Sequence, residues 1–359
     1  MLTIRALGLA MAMLAAGTAM AEAPIAAQVK VYAHRGASAL RPEHTLAAYA
    51  KAIADGADYV EPDLVSSKDG ALVARHENEI GGTTDVAAHP EFAARRTTKV
   101  IDGRPVEGWF TEDFTLAELK TLRARERLPQ LRGTRWDGQF QLVTLDEIVD
   151  FVAAESAARG RTIGIVPEIK HPSYFQSIGL PMEDAVLAVL QAHAYTRSAP
   201  VEIQSFEAEN LRYLRGRIGA RGGQVRLLQL LSAAEEAVPG DPRGRRYRDL
   251  MSAAGLREVA TYADAIGPDF HAVIPWDADK RLQAPSALVH DAHAAGLEVH
   301  PYTFRPENYF LPEGYRDGAD PATRSAAGMV ALVRRYLEAG IDAFFTDDPA
   351  LGRQALDGR

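Results

Sequence analysis

The sequence predicts an α/β protein, a (β/α)8 TIM barrel with a small insertion after the second strand. Short β-branched and apolar runs alternate with longer stretches of helical periodicity, which implies a parallel sheet. Eight such runs can be marked in the chain, the number that closes a barrel. The polar residues able to do chemistry cluster at the C-terminal ends of these runs, the face on which barrel active sites are built.

The first run is Val29–Ala33. It leads through His34-Arg35-Gly36 and Pro42-Glu43-His44-Thr45 into a helical stretch, Leu46–Ala57, that stops near Gly56. The second run, Tyr59–Leu64, contains Glu61-Pro62-Asp63 and is followed by Ala71–Arg75 and His76. Between Glu77 and Gln141 the strand–helix rhythm fails and the composition turns to Gly, Thr, Arg, Asp and Trp, so residues 77–141 are expected to form the insertion. A helix is expected over Val143–Arg159, because Thr144 and Glu147 form a capping box in which each side chain satisfies an orphan backbone amide. The third to sixth runs are Thr162–Ile169, Val201–Ser205, Val225–Leu230 and Ala265–Pro268. Helical stretches Ala287–Ala295 and Met329–Ala339 end just before Gly296 and Gly340. The seventh run, Leu297–Thr303, precedes a second interruption at Pro306–Arg324, and the eighth is Ala343–Thr346. With no internal repeat, low-complexity tract or Gly/Ser linker, residues 22–359 read as a single domain.

The 359 residues carry 40 Lys plus Arg against 48 Asp plus Glu, a formal charge of −8. That mildly acidic balance argues against a nucleic-acid partner, which needs a concentrated basic face. The absence of cysteine excludes disulfides, thiolate metal sites, a Cys nucleophile and a lipid-modified N-terminal cysteine. Residues 1–21 have the plan of a secretory signal peptide: Arg5, an apolar run from Ala6 to Gly17, and a small-x-small end at Ala19-Met20-Ala21. That run is shorter than the ~20 residues a spanning helix needs. The expectation is an exported, periplasmic protein with no membrane span. Nothing in the sequence signals an oligomer.

The strand ends bring together His34-Arg35, Glu61 and Asp63, His76, Glu168-Ile169-Lys170 and Gln204-Ser205-Phe206. Glu61 and Asp63 stand at i and i+2 and so share one face of a strand. Two anions held that close repel, and a divalent cation resolves the repulsion. With Glu168 as third ligand and no sulfur donor, a hard ion such as Ca²⁺ or Mg²⁺ suits the set. Arg35 and Lys170 offer fixed positive charge for a phosphoryl group. His34 and His76 are natural proton carriers. The ensemble reads as metal-assisted hydrolysis of a phosphate ester with a histidine acid/base pair.

Five ordered segments, His34-Arg35-Gly36-Ala37-Ser38, Pro42-Glu43-His44-Thr45, Glu61-x-Asp63, His76 and Glu168-x-Lys170, resemble the glycerophosphodiester phosphodiesterase family. Val299-His300-Pro301-Tyr302-Thr303 and Phe344-Phe345-Thr346-Asp347 are similar to its late segments, particularly in the periplasmic calcium-dependent branch. The resemblance implies a barrel that cleaves glycerophosphodiesters to glycerol 3-phosphate and an alcohol. It implies His34 and His76 as the catalytic pair and Glu61, Asp63 and Glu168 as metal ligands. Arg35 and Lys170 would bind phosphate, and Ca²⁺ would be taken ahead of Mg²⁺. His44 stands where many members have Asn, which makes Glu43 a candidate extra metal contact. Gln204, Phe206, His300 and Tyr302 are candidate substrate-side residues, and Trp276 and Phe345 could add to an apolar wall. Asp347 and Asp348 are expected to close the last loop rather than to bind metal. A lipid-directed phospholipase D and an exported metal-dependent binding protein are the alternatives; the former normally carries cysteines, and the latter leaves an intact charged set without a purpose.

Overall fold

The computed structural model describes residues 29–358. The expected signal peptide, residues 1–21, lies outside the described residues. Eight parallel strand positions follow one another around the sheet. Lys30–His34 pairs on one side with Ala343–Thr346 and on the other with Tyr59–Glu61, and the path continues through Gly164–Ile165, Val201–Ser205, Val225–Leu231, Ala265–Pro268 and Glu298–Val299. Backbone hydrogen bonds from Phe345 N to the Pro301 carbonyl (3.0 Å) and from Phe304 N to the Phe345 carbonyl (2.9 Å) join the seventh and eighth positions and close the ring. The fold is the TIM barrel.

Two strands are interrupted where the sequence suggests continuity. The second breaks at Pro62 into Tyr59–Glu61 and Asp63–Ser66, and the third breaks at Val166-Pro167 into Gly164–Ile165 and Glu168–Ile169. Proline has no N–H to donate to a ladder, so each strand steps outward there while its carbonyl still accepts: Pro62 from Glu168 N, Pro167 from Gln204 N, both at 2.9 Å. The outer halves remain paired, Asp63 opposite Glu168 and Glu168 opposite Gln204.

Helix Leu145–Arg159 starts from the Thr144–Glu147 capping box and ends at left-handed Gly160. Leu46–Ala54 stops before the expected Ala57, since Asp55 and Gly56 (φ +90°) already leave the helix. Ala326–Glu338 starts earlier than its apolar pattern, because Ser325 caps it by accepting from Gly328 N. None of the described helices is long and apolar enough to cross a membrane. Residues 77–141 hold an antiparallel hairpin, Thr97–Ile101 with Arg104–Gly108, and only short helical turns.

One apolar layer lies between sheet and helices, including Val31, Val60, Ile165, Ile203, Leu227 and Phe344, each almost wholly buried. Burial of side chains of this size contributes about 1.5–3 kcal/mol each. A second cluster fills the barrel itself, with Tyr32, Val166, Leu228, Leu230 and Phe345. Beneath it lies a buried ionic group. The His300 ring sits 3.1 Å from Glu202 on Nδ1 and 3.1 Å from Glu298 on Nε2, and Tyr32 donates to Glu202 at 2.9 Å. Burial alone would strip the ring's proton, but Glu202 and Glu298 overcome it and push His300 up to about 9.

An unfolded ring releases its proton near pH 6.5, whereas the folded one holds it to about 9. The stability this cluster contributes is therefore full below pH 6.5 and is lost as pH rises through 9. Thermal unfolding followed between those pH limits should show a steeper fall in melting temperature for the wild type than for His300→Gln; parallel curves would refute the assignment.

Candidate active site

The mouth of the barrel is assembled by register. His34 lies opposite Glu61, Asp63 opposite Glu168, and Glu168 opposite Gln204, so the tips of four strands deliver their side chains to one rim. Carboxylate oxygens of Glu61, Asp63 and Glu168 all fall within 4.8 Å of one another, and all three residues are buried. Burial, then Asp63 and Glu168, push Glu61 well above the ordinary carboxylate range. Burial and the neighbouring Asp63 push Glu168 up to about 8, despite Lys170 Nζ at 2.8 Å. Burial raises Asp63, but Lys170, the hydrogen bond to His44 and Arg35 outweigh it and hold the carboxyl low. An all-oxygen donor set short of positive charge is what a hard divalent ion requires, so these residues could hold one.

A tight turn follows the first strand. Arg35 (φ +61°) and Gly36 (φ +87°) both take the left-handed region, and a Cβ on Gly36 would stand 2.7 Å from the Ala48 backbone, so only glycine fits. The turn aims the Arg35 amide at Glu61 Oε2 (2.8 Å) while its guanidinium reaches Glu43 (3.0 Å) and Asp63 (3.3 Å). His44, also at positive φ, donates to Asp63 through Nε2 (2.9 Å) and meets the Tyr49 hydroxyl through Nδ1 (3.0 Å). It braces Asp63 within the acidic triad.

Each expected proton carrier has a carboxylate on its Nδ1. His34 faces Asp347 at 2.6 Å, and His76 is hydrogen-bonded to Glu77. Burial and the cation Arg35 lower His34 to about 4; burial, Arg35 and Lys170 lower His76 to about 3. Both rings are therefore neutral at neutral pH before an anion enters. The orienting carboxylates are themselves held by arginines. Arg127 grips Glu77 (2.7 Å) and Glu43 (2.6 Å), and Arg132 grips Asp347 (2.6 Å) and Glu307 (2.8 Å). Arg305 adds a further contact to Asp347 at 3.0 Å.

His34, Arg35, Glu61, His76, Glu168 and Gln204 line a pocket of about 100 Å³ together with Phe206, Tyr302 and Phe345. Lys170 lies over the Phe206 ring at 5.6 Å, and Gln204 Nε2 donates to Glu61 at 2.8 Å. Three expected residues stand elsewhere. Glu43 is occupied by Arg35 and Arg127, which hold it well below the usual carboxylate range in spite of burial, so it faces guanidinium rather than the acidic triad. His300 sits a layer below the mouth, because the seventh strand position runs on to Phe304 and its rim residue is Arg305. Trp276 packs against Phe270 and His271 instead of the pocket. Sequence reasoning missed Glu77, Arg127 and Arg132 and gave Asp347 only a loop-closing part. Glu77 and Asp347 follow His76 and the eighth strand directly, so the strand-end rule could have found them; nothing local marks the two arginines.

A model of the glycerophosphoryl diester phosphodiesterase family matches residues 34–351. A glycerophosphodiester phosphodiesterase of Arabidopsis thaliana is 37% identical over 88% of this chain and 82% of its own length. One from Haemophilus influenzae is 29% identical over 98% of both chains. In fold, the chain is similar to an Oleispira antarctica phosphodiesterase solved with its product sn-glycerol-3-phosphate, at 20% identity and a TM-score of 0.56 over 91% of this chain and 96% of that one. A match running from the end of the first barrel strand into the helix after the eighth takes in the other seven strand positions, and the chain belongs to the glycerophosphoryl diester phosphodiesterase family.

Proposed function

We propose that the protein hydrolyses glycerophosphodiesters to glycerol 3-phosphate and an alcohol, with His34 and His76 as the proton carriers. The observation that carries the reading is the pair of histidines, each oriented by a carboxylate, that line one pocket with Arg35, Glu61 and Glu168, with Asp63 and Lys170 directly behind these acids. Arg35 and Lys170 bind the phosphate oxygens, and Phe206, Tyr302 and Phe345 supply the apolar wall for glycerol. A divalent cation on Glu61, Asp63 and Glu168 would polarise a phosphoryl oxygen as a Lewis acid. Ca²⁺ ahead of Mg²⁺ is our reading of its identity, on the motif likeness to the calcium-dependent branch and the all-carboxylate donor set.

His34 Nε2 accepts from Arg35 Nε at 3.2 Å, so its lone pair is on that nitrogen and its proton on Nδ1, beside Asp347. This casts His34 as base. The substrate's glycerol hydroxyl oxygen attacks phosphorus as its proton passes to His34 Nε2, and the bond to the leaving alcohol breaks as His76 donates a proton to that oxygen. An anionic diester between Arg35 and Lys170 offsets the two cations that depress His76, which lets the ring carry this proton. Water then attacks the cyclic phosphate, giving its proton to His76, while His34 returns its own to the opening ring oxygen. Residues 1–21 direct export to the periplasm, where a chain without cysteine folds with no disulfide to form.

Release of glycerol 3-phosphate from glycerophosphocholine should fall about 10²–10⁴-fold in His34→Ala and in His76→Ala, with native circular dichroism retained. Near-native rates in either would refute the pairing. Asp347→Asn should lower kcat at least about tenfold with KM less affected, because the His34 tautomer is no longer enforced. Chelation should abolish turnover and Ca²⁺ should restore it better than Mg²⁺, but not in Glu61→Gln; turnover indifferent to chelator would overturn the metal assignment. Intact mass of the protein recovered from the periplasmic fraction should correspond to a chain starting at Glu22, and a full-length mass would remove the export reading.

A further inference from the structure

A second groove, of about 570 Å³, opens beside the pocket and shares His76, Glu168 and Phe206 with it. It runs between the hairpin Thr97–Gly108 and the segments after the fourth and fifth barrel strands. It begins at His76, the group assigned to the leaving oxygen, so it lies on the path the leaving alcohol must take.

The groove has the wrong charge for an anion and an uncompensated charge of its own. Glu207 is only 5% exposed. Its carboxylate accepts from Ser173 N (3.2 and 3.3 Å) and Ser173 Oγ (2.9 Å), and among the described residues no cationic side chain is within ion-pair distance. Burial pushes it above the ordinary carboxylate range, and Asp102 adds to that effect. Asp102 is matched by His171 at 2.7 Å, and Lys170 is committed to Glu168. Glu236, also on the wall, has only the Ser232 hydroxyl (2.7 Å). A buried carboxylate whose hydrogen bonds are met but whose charge is not is costly until a cation arrives. Beside it the partly buried ring of Phe206 lines the groove, an aromatic surface of the kind that receives alkylammonium groups, and the buried Tyr247 supports it edge to face at 6.3 Å.

We propose that this groove seats the leaving alcohol and selects cationic alcohols of the choline and ethanolamine kind, with Glu207 receiving the positive charge. The assignment rests on the phosphodiesterase reading and adds its head-group preference.

The test compares kcat/KM for glycerophosphocholine with that for its neutral isostere, in which carbon replaces the quaternary nitrogen. The expected ratio in the wild type is about tenfold in favour of the cation. It should fall toward one in Glu207→Gln, which keeps an acceptor for Ser173 and removes the charge. A wild-type ratio near one would overturn the proposal, and a ratio preserved in Glu207→Gln would overturn the part given to Glu207. Should that variant fail to fold, inhibition of the wild type decides: choline should inhibit about tenfold more tightly than 3,3-dimethylbutanol, and equal inhibition would overturn the proposal. Hydrolysis of both substrates at equal rates condemns only the head-group assignment, whereas hydrolysis of neither brings down the phosphodiesterase reading and this assignment with it.

Discussion

Three carboxylates confined within 4.8 Å in a buried mouth set the terms for everything around them. Unbalanced, such a group would be destabilising by several kcal/mol per ion. The fold answers with Arg35 and Lys170 on the same rim and with room for a divalent ion. The cations that quiet the acids also depress both histidines, so the site waits with neutral rings until an anion alters the balance. Binding and proton transfer thus draw on one electrostatic arrangement. The proline steps in the second and third strands belong to it as well. They move the outer strand halves together, so that Asp63, Glu168 and Gln204 still meet across the ladder.

Around that centre lies a shell of arginines, Arg75, Arg127 and Arg132, outside the pocket lining. Arg127 and Arg132 stand five residues apart in the excursion after the second strand, yet each holds the carboxylate behind a different histidine. Arg75, wholly buried, reaches the carbonyls of Glu43, His44 and Thr83 and ties the first loop to the same excursion. Rigid placement of this kind is what proton transfer over hydrogen-bond distances demands.

The barrel was readable because its strands are short, apolar and separated by capped helices, and because the candidate site residues fall at strand ends. That Glu61 and Asp63 share a face was legible from their spacing, and Glu168 joins them at the next strand end. What escaped was contact across long sequence separation. Arg132 and Asp347 lie 215 residues apart, and no periodicity announces their pairing. Glu43 misled for a related reason: its neighbour in sequence is a residue of the site, but its partner in space is Arg127. His300 misled because the seventh strand outruns its apolar pattern and leaves the ring one layer too deep.

The arginine shell also bears on how such a barrel can change over time. An excursion that only decorated a rim could be trimmed, exchanged or grafted between relatives with little penalty. Here residues 127–132 hold the supports of both proton carriers, and Arg132 reaches the second excursion through Glu307 as well. The two loops and the last strand therefore form one inheritance unit, and recombination that separates them would deliver a sound barrel with its histidines adrift.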